Sequence, residues 1–305
     1  MRAVITLRLL GPVEVLRDGA PPPPELLWRK PLALLVYLRL GGSRPRGREH
    51  LMTLLWPDTG QLQARHSLNE ALRLLRRSLG EAALESEGNQ VRLASGVVTL
   101  DLDAFEGHAR AGHWAQAAAL VRGQLLQDFE VPEAAAFEEW MAAERAAWRQ
   151  RSVEVLTRLA AQRLDAADSA TALAAARAAL ALDPLAEAPH RVFLQVLALR
   201  GDRAAALAGH AEFAARFREA LGADPGGDTN PLVERIRADR ARPAIPTAAP
   251  AAPSRRTPLV GREGELAQLL KAWRGCREGR RATVAIVAGD PGVGKSRRLA
   301  EVANR

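Results

Sequence analysis

The sequence predicts a mainly α-helical chain with a small β portion and a phosphate-loop segment that is incomplete as a domain. Three observations lead there. β-Rich runs around turn residues open and close the first hundred positions, with helical patterns between them, Ala/Leu/Glu/Arg-rich stretches fill residues 101–240, and GDPGVGKS stands at 289–296.

VITLRLL (4–10) and VEVL (13–16) carry β-branched and apolar residues around Gly11-Pro12, and Asp18-Gly19 supplies a turn. A small antiparallel sheet is therefore expected first. After prolines 21–24 the pattern becomes helical: residues 31–40 begin with Pro31 at a tolerated first-turn position and stop at Gly41-Gly42. GREHLMTLLW (47–56) forms a second short helix, closed by Pro57-Asp58. The third runs over 64–80, with Leu68, Leu72, Leu75 and Leu79 at i, i+4, i+7 and i+11 and Gly80 just past its end. Residues 82–87 and 90–94 flank Gly88-Asn89 and read as a hairpin. The order is sheet, three helices, hairpin.

From Asp101 to about Arg240 the strand signals vanish, and punctuation falls at Pro132, Asp183-Pro184, Gly201-Asp202 and Asp224-Pro225. TALAAARAALALDP (171–184) and AEFAARFREALGADP (211–225) end alike, which predicts a degenerate helix-pair repeat; a non-repetitive bundle is the alternative. ARPAIPTAAPAAPSRRTP (241–258), with five prolines, is an extended linker. Beyond it, 260–273 reads as an amphipathic helix and ATVAIVAG (282–289) as a buried strand leading into the phosphate loop. The expected domains are thus 1–100, 101–240, the linker 241–258, and 259–305.

Composition narrows the function classes. With 48% hydrophobic residues the chain can build packed cores, and no apolar run approaches the roughly 20 residues of a membrane-spanning helix. A cytoplasmic, nucleoid-associated location is expected. A single cysteine, Cys276, cannot form an internal disulfide and is a poor metal ligand. The formal charge of +8 is unevenly spread: +5 over residues 1–100, −5 over 101–240 and +8 over 241–305. Because 40 of the 43 basic residues are arginine, we ascribe the arginine bias to coding composition before recognition.

The leucine seam of helix 64–80 leaves Arg65, His66, Asn69, Glu70, Arg73, Arg76 and Arg77 on the opposite face. Arg pairs bidentately with guanine and Asn with adenine in the major groove, while neighbouring arginines neutralise phosphates. A solvated charged face is the bland alternative. Two shorter helices before this one and a hairpin directly after it match a winged helix, whose hairpin, here with Arg92, reaches the adjacent minor groove or backbone.

The stretches LLGPVEVLRDG, RKPLALLVYL, LMTLLWPD and ARHSLNEALRLLRRSLG resemble the N-terminal domain of antibiotic-regulatory-protein (SARP) type activators, and DLDAFEGHARAGHW resembles the start of their bacterial transcriptional activation domain. The resemblance covers roughly residues 1–240. It implies an OmpR-like winged helix that binds direct-repeat promoter DNA, then a tetratricopeptide-like (TPR-like) domain for self-association and contact with RNA polymerase. Helix 64–80 corresponds to the recognition helix by its place before the wing. The proline run 21–24 is longer than the pattern leads one to expect, and His66 and Glu70 leave the target sequence open.

Residues 101–240 show no catalytic arrangement: His108, His113, His190 and His210 lack metal-ligand spacing, and Glu138, Glu139 and Glu144 share a helix with Trp140 and Trp148. The phosphate loop is a stronger signal. Gly289, Gly292 and Gly294 let backbone N–H groups converge on phosphate oxygens, Lys295 reaches the β/γ-phosphates, and Ser296 can ligate Mg²⁺. VGREGEL upstream resembles the entry to AAA/STAND-type ATPase domains. The later acidic strand residue and further parallel strands that hydrolysis needs are not encoded here. The segment is accordingly expected to be the first part of such a domain, to bind ATP and Mg²⁺ weakly at most, and to require no cofactor for the chain's main role. The favoured function is a non-enzymatic, sequence-specific DNA-binding activator, a homodimer on tandem half-sites. A nucleotide-dependent signalling ATPase, and a scaffold whose winged helix contacts protein, are the rivals.

Overall fold

The computed structural model describes residues 5–41 and 44–238, together with positions 264, 267, 268 and 271, which are helical. The two continuous stretches lie within one compact unit, residues 1–244.

β1 (Ile5–Arg8) and β2 (Glu14–Arg17) pair antiparallel, and Asp18-Gly19 forms the two-residue turn expected of it, with positive φ at both residues. The expected first strand is shorter than its apolar run: Leu9 and Leu10 leave the sheet, and Leu10 bridges Leu125 instead. The proline run carries a turn of 3₁₀ helix, Pro24–Leu27, that buries Leu26. Next come α1 (Arg29–Leu40), the two-residue β3 (Arg46–Gly47), α2 (Arg48–Leu55) and α3 (Gln61–Leu79), which begins three residues before the periodicity predicts. β4 (Leu84–Glu87) and β5 (Gln90–Leu93) form the hairpin, and β3 joins it on the β5 side.

The sequence reading missed two strands, the two-residue β3 and β6. β6 (Val98–Leu100) returns to the first sheet and pairs parallel with β1, Thr6 facing Thr99 with their hydroxyls 3.0 Å apart. Three residues are too few for a periodicity signal; β6 is a strand because β1, some 90 residues away, offers it an edge.

The helical part comprises α4 (Asp101–Arg110), α5 (Trp114–Ala119), the 31-residue α6 (Ala135–Asp165), α7 (Ser169–Leu182), α8 (Glu187–Leu199), α9 (Arg203–Leu221) and α10 (Thr229–Ala238). Helices follow one another in pairs as a repeat requires, although the two stretches whose sequences end alike do not end alike in structure: α7 stops on extended Asp183 and α9 on left-handed Gly222. α7 and α9 both start on an aspartate cap, where Asp168 accepts from Thr171 N and Asp202 from Ala205 N.

Hydrophobic burial crosses residue 100 without a gap. One core extends from Ile5 to Val155, joining Leu35, Leu55, Leu72 and Val91 of the head to Phe105, Leu125, Phe137 and Trp148. A second core gathers Leu159, Ala176, Leu194, Ala206 and Ile236. α6, about 46 Å long at 1.5 Å per residue, contributes to both.

Candidate nucleic-acid interface

α3 is amphipathic as its spacing requires. Ala64, Leu68, Ala71, Leu72, Leu75 and Leu79 are buried against the head, and Arg65, His66, Asn69, Glu70, Arg73 and Arg77 are exposed. Arg76 is half-buried and donates from Nη2 to Ser86 Oγ on β4 at 2.9 Å, so it ties the helix to the hairpin.

The hairpin lies beside the exposed ridge as a wing, with Gly88-Asn89 at its tip. Its position is fixed from a third element. Arg48, the first residue of α2, donates its backbone N–H to Asn89 O at 2.9 Å and its Nη1 to Asn69 Oδ1 at 2.8 Å. Wing, α2 and recognition ridge thus converge on one arginine. The sequence reading placed Arg48 in a helix but not at this junction, because nothing in its local pattern reveals a partner 21 residues on.

Two of the predicted cations carry carboxylate partners. Arg73 pairs with Glu70 at 2.7 Å, and Arg92 pairs across the hairpin with Glu85, Nε to Oε2 at 2.6 Å. All four side chains are largely exposed, so each pair contributes only about 0.2–1 kcal/mol, whereas a good bidentate contact to a base discriminates by about 1–3 kcal/mol. Exchanging a carboxylate for a base or phosphate is therefore affordable. Arg65 and Arg77 have no partner among the described residues, and Glu70, once released, can accept from cytosine N4.

The head is clasped to the helical part by a buried carboxylate and two arginines. Asp101, at the start of α4, accepts from Leu9 N at 2.9 Å and Leu10 N at 3.0 Å. Burial raises its carboxyl above the usual range, against the opposing pull of those N–H donors. Gly11 follows with φ +134°, and a Cβ there would lie 2.8 Å from Arg122 Cβ, so the chain needs glycine at this crossing. Arg122 reaches Glu14 at 2.5 Å. Arg145 of α6 donates to the carbonyls of Leu125, Leu126 and Phe129, holding the non-helical stretch before α6 against that helix, while Leu126 N bonds Leu9 O just beyond β1.

In the helical part the structure brings together two histidines that the sequence shows 20 residues apart. His190 and His210 are both buried, their Nε2 and Nδ1 are 3.3 Å apart, and Phe213 stacks on His190 at 3.9 Å between centroids. Burial, reinforced by His210, pushes His190 down to about 4. An open groove of about 400 Å³ lies against α4, α5 and α6 over Phe105, Ala109, Trp114 and Val155, but its charges are engaged: Arg151 bonds Glu106 and lies over Trp148. Glu138 accepts from Val131 N at 2.6 Å, a structural bond. Among the described residues no cluster of three metal-ligating side chains occurs, and no helix is long and apolar enough to cross a membrane. The phosphate-loop residues Gly289, Gly292, Gly294, Lys295 and Ser296 lie outside the described residues.

A winged-helix head with an arginine-rich ridge, rigidly joined to TPR-like helical pairs, defines a transcription-regulator class of fold. Comparison with known proteins agrees. Residues 92–237 match the bacterial transcriptional activator domain, and residues 258–305 match an AAA ATPase domain. The structure is similar to EmbR of Mycobacterium tuberculosis, solved in complex with a low-affinity phosphopeptide: TM-score 0.60, 24% identity, covering 80% of this chain and 67% of that one. That likeness shows the fold. No curated protein is matched. The two matched domains stand in the order that the resemblance to SARP-type activators implies, an activator domain followed by an AAA ATPase segment.

Proposed function

We propose that this chain activates transcription by binding promoter DNA sequence-specifically, with α3 in the major groove and the β4–β5 wing against the adjoining backbone or minor groove. The observation that carries the reading is the ridge of Arg65, His66, Asn69, Arg73 and Arg77, exposed opposite a buried leucine seam and flanked by a tethered wing. Two copies occupy direct-repeat half-sites, and α4–α10 serves self-association and contact with RNA polymerase. The activator-domain match supports this role for the helical part. The protein then works in the cytoplasm, on the nucleoid.

The test is selection of duplexes from a randomised pool by the full chain. A recurrent motif in tandem, its halves about 10 bp apart or a multiple of that, and an affinity that falls steeply with salt are expected. Recovery of no motif would sink the reading.

The AAA match favours one addition. A nucleoside triphosphate and Mg²⁺ suit the donor set of the glycine-rich loop, Lys295 and Ser296. Weak binding without turnover, lost in Lys295→Ala, is the expected result; sustained ATP hydrolysis by this polypeptide would support the signalling-ATPase reading instead.

A further inference from the structure

Leu62 is 82% exposed, the highest exposure among the large hydrophobic side chains in the described part of the chain. A single exposed leucine is ordinary on a protein surface. Its place is what distinguishes it. It stands in the first turn of α3, and residues 4, 7 and 11 positions further on are His66, Asn69 and Arg73, so helical periodicity sets it on the crest of the exposed ridge. The buried residues Ala64, Leu68, Ala71 and Leu75 lie on the other side of the helix, and no neighbouring element covers the leucine. Gln61 and Gln63 beside it are also exposed.

In helix-turn-helix proteins the N-terminal residues of the recognition helix are the ones that meet base edges. An aliphatic side chain there has one methyl to recognise in the major groove, the C5-methyl of thymine; cytosine offers only a smaller C5–H at that place, and the donors and acceptors on the base edges would be desolvated by a leucine without replacement. We infer that Leu62 is a specificity-determining residue that packs on a thymine methyl at the edge of the half-site, next to the bases read by His66 and Asn69. This rests on the DNA-binding reading above, which it extends by one base position and one chemistry.

The experiment uses the full chain and the duplex it selects, with each thymine in turn replaced by deoxyuridine, a change that removes only the methyl. At one thymine per half-site the wild type should lose about fourfold in affinity, the worth of one buried methyl group. Leu62→Ala should bind the thymine duplex about as weakly as the wild type binds the uracil one, and lose nothing more on uracil; Leu62→Met should restore most of the thymine preference. Because the side chain is exposed, thermal unfolding of Leu62→Ala should match wild type. Indifference of the wild type to every thymine replacement, or full thymine preference in Leu62→Ala, overturns the assignment while leaving the DNA-binding reading intact. Unchanged DNA binding with loss of transcription in Leu62→Ala overturns it too and identifies a protein contact. Failure of the wild type to select any duplex overturns both.

Discussion

Arg48 Nη1 lies 2.8 Å from Asn69 Oδ1, and the backbone N–H of the same arginine bonds the carbonyl of Asn89 at the wing tip. The bond orients the Asn69 amide, turning Oδ1 to the arginine and leaving Nδ2 free to donate to a purine N7. In the proposed DNA complex Arg48 would therefore act as a positioning residue for base readout. In DNA binding, a double-mutant cycle of Arg48→Ala with Asn69→Ala should show coupling of about 0.5–1.5 kcal/mol, the range of one net hydrogen bond. Additive losses would mean that the two side chains part when DNA binds.

Arg73 and Arg92 should fail differently. Arg73 stands on the ridge and Arg92 on the wing strand, each paired with a carboxylate in the free protein. Arg73→Ala should cost about 1–3 kcal/mol on the selected duplex and relax preference at one position, while Arg92→Ala should weaken all duplexes alike and lower the salt slope by about one. Gel shifts over a salt series separate the two patterns.

Asp101 should be worth more than its surroundings suggest. It is the acceptor of both Leu9 and Leu10 N–H groups at the joint between head and helical part, and it is buried. Asp101→Ala strands two buried donors, at about 1–3 kcal/mol each, whereas Asp101→Asn keeps one acceptor and should lose about half as much. Denaturant unfolding measures both. A change below about 0.5 kcal/mol in Asp101→Ala would show that water replaces the carboxylate.

The same helix-ending turn occurs three times, at Gly112-His113, Ala167-Asp168 and Gly201-Asp202. In each, the first residue has positive φ and donates three residues back, and the second donates five residues back. Ala167, at φ 58°, takes the place glycine holds in the other two. Ala167→Gly should therefore stabilise by about 0.5–1 kcal/mol, and Gly201→Ala should destabilise by a similar amount. Thermal melts of the two variants should move in opposite directions.

Local rules wrote the head more visibly than the joints. The seam Leu68, Leu72, Leu75 and Leu79 and the Gly88-Asn89 turn were legible because each depends on neighbours a few residues away. β6, the Asp101 acceptor and the Arg48–Asn69 bond depend on residues 21 to more than 90 positions distant, and no local pattern encodes those. Asp101 reads as an ordinary first-turn acid of a helix. Its second role exists only because Leu9 and Leu10 leave the sheet beside it. The half-burial of Arg76 has the same origin, since Ser86 reaches it only once the hairpin folds back.

The His190–His210 pair makes acid sensitivity a property of the helical part. Burial is the main cause holding both below the ordinary histidine value, His190 at about 4; Arg216 pushes His190 the same way, Arg237 pushes His210 the same way, and Glu187 opposes on His190. Unfolded, each histidine takes up a proton near pH 6.5, so the unfolded state binds more protons below that value. Their contribution to stability is complete above pH 6.5 and is lost as pH falls from there towards 4. The stacked contact with Phe213 at 3.9 Å suggests a replacement that keeps the packing without the titration, His190→Phe. Denaturant midpoints measured between pH 4 and 7 should fall less steeply in that variant than in wild type. Parallel profiles would place the acid sensitivity elsewhere in the fold.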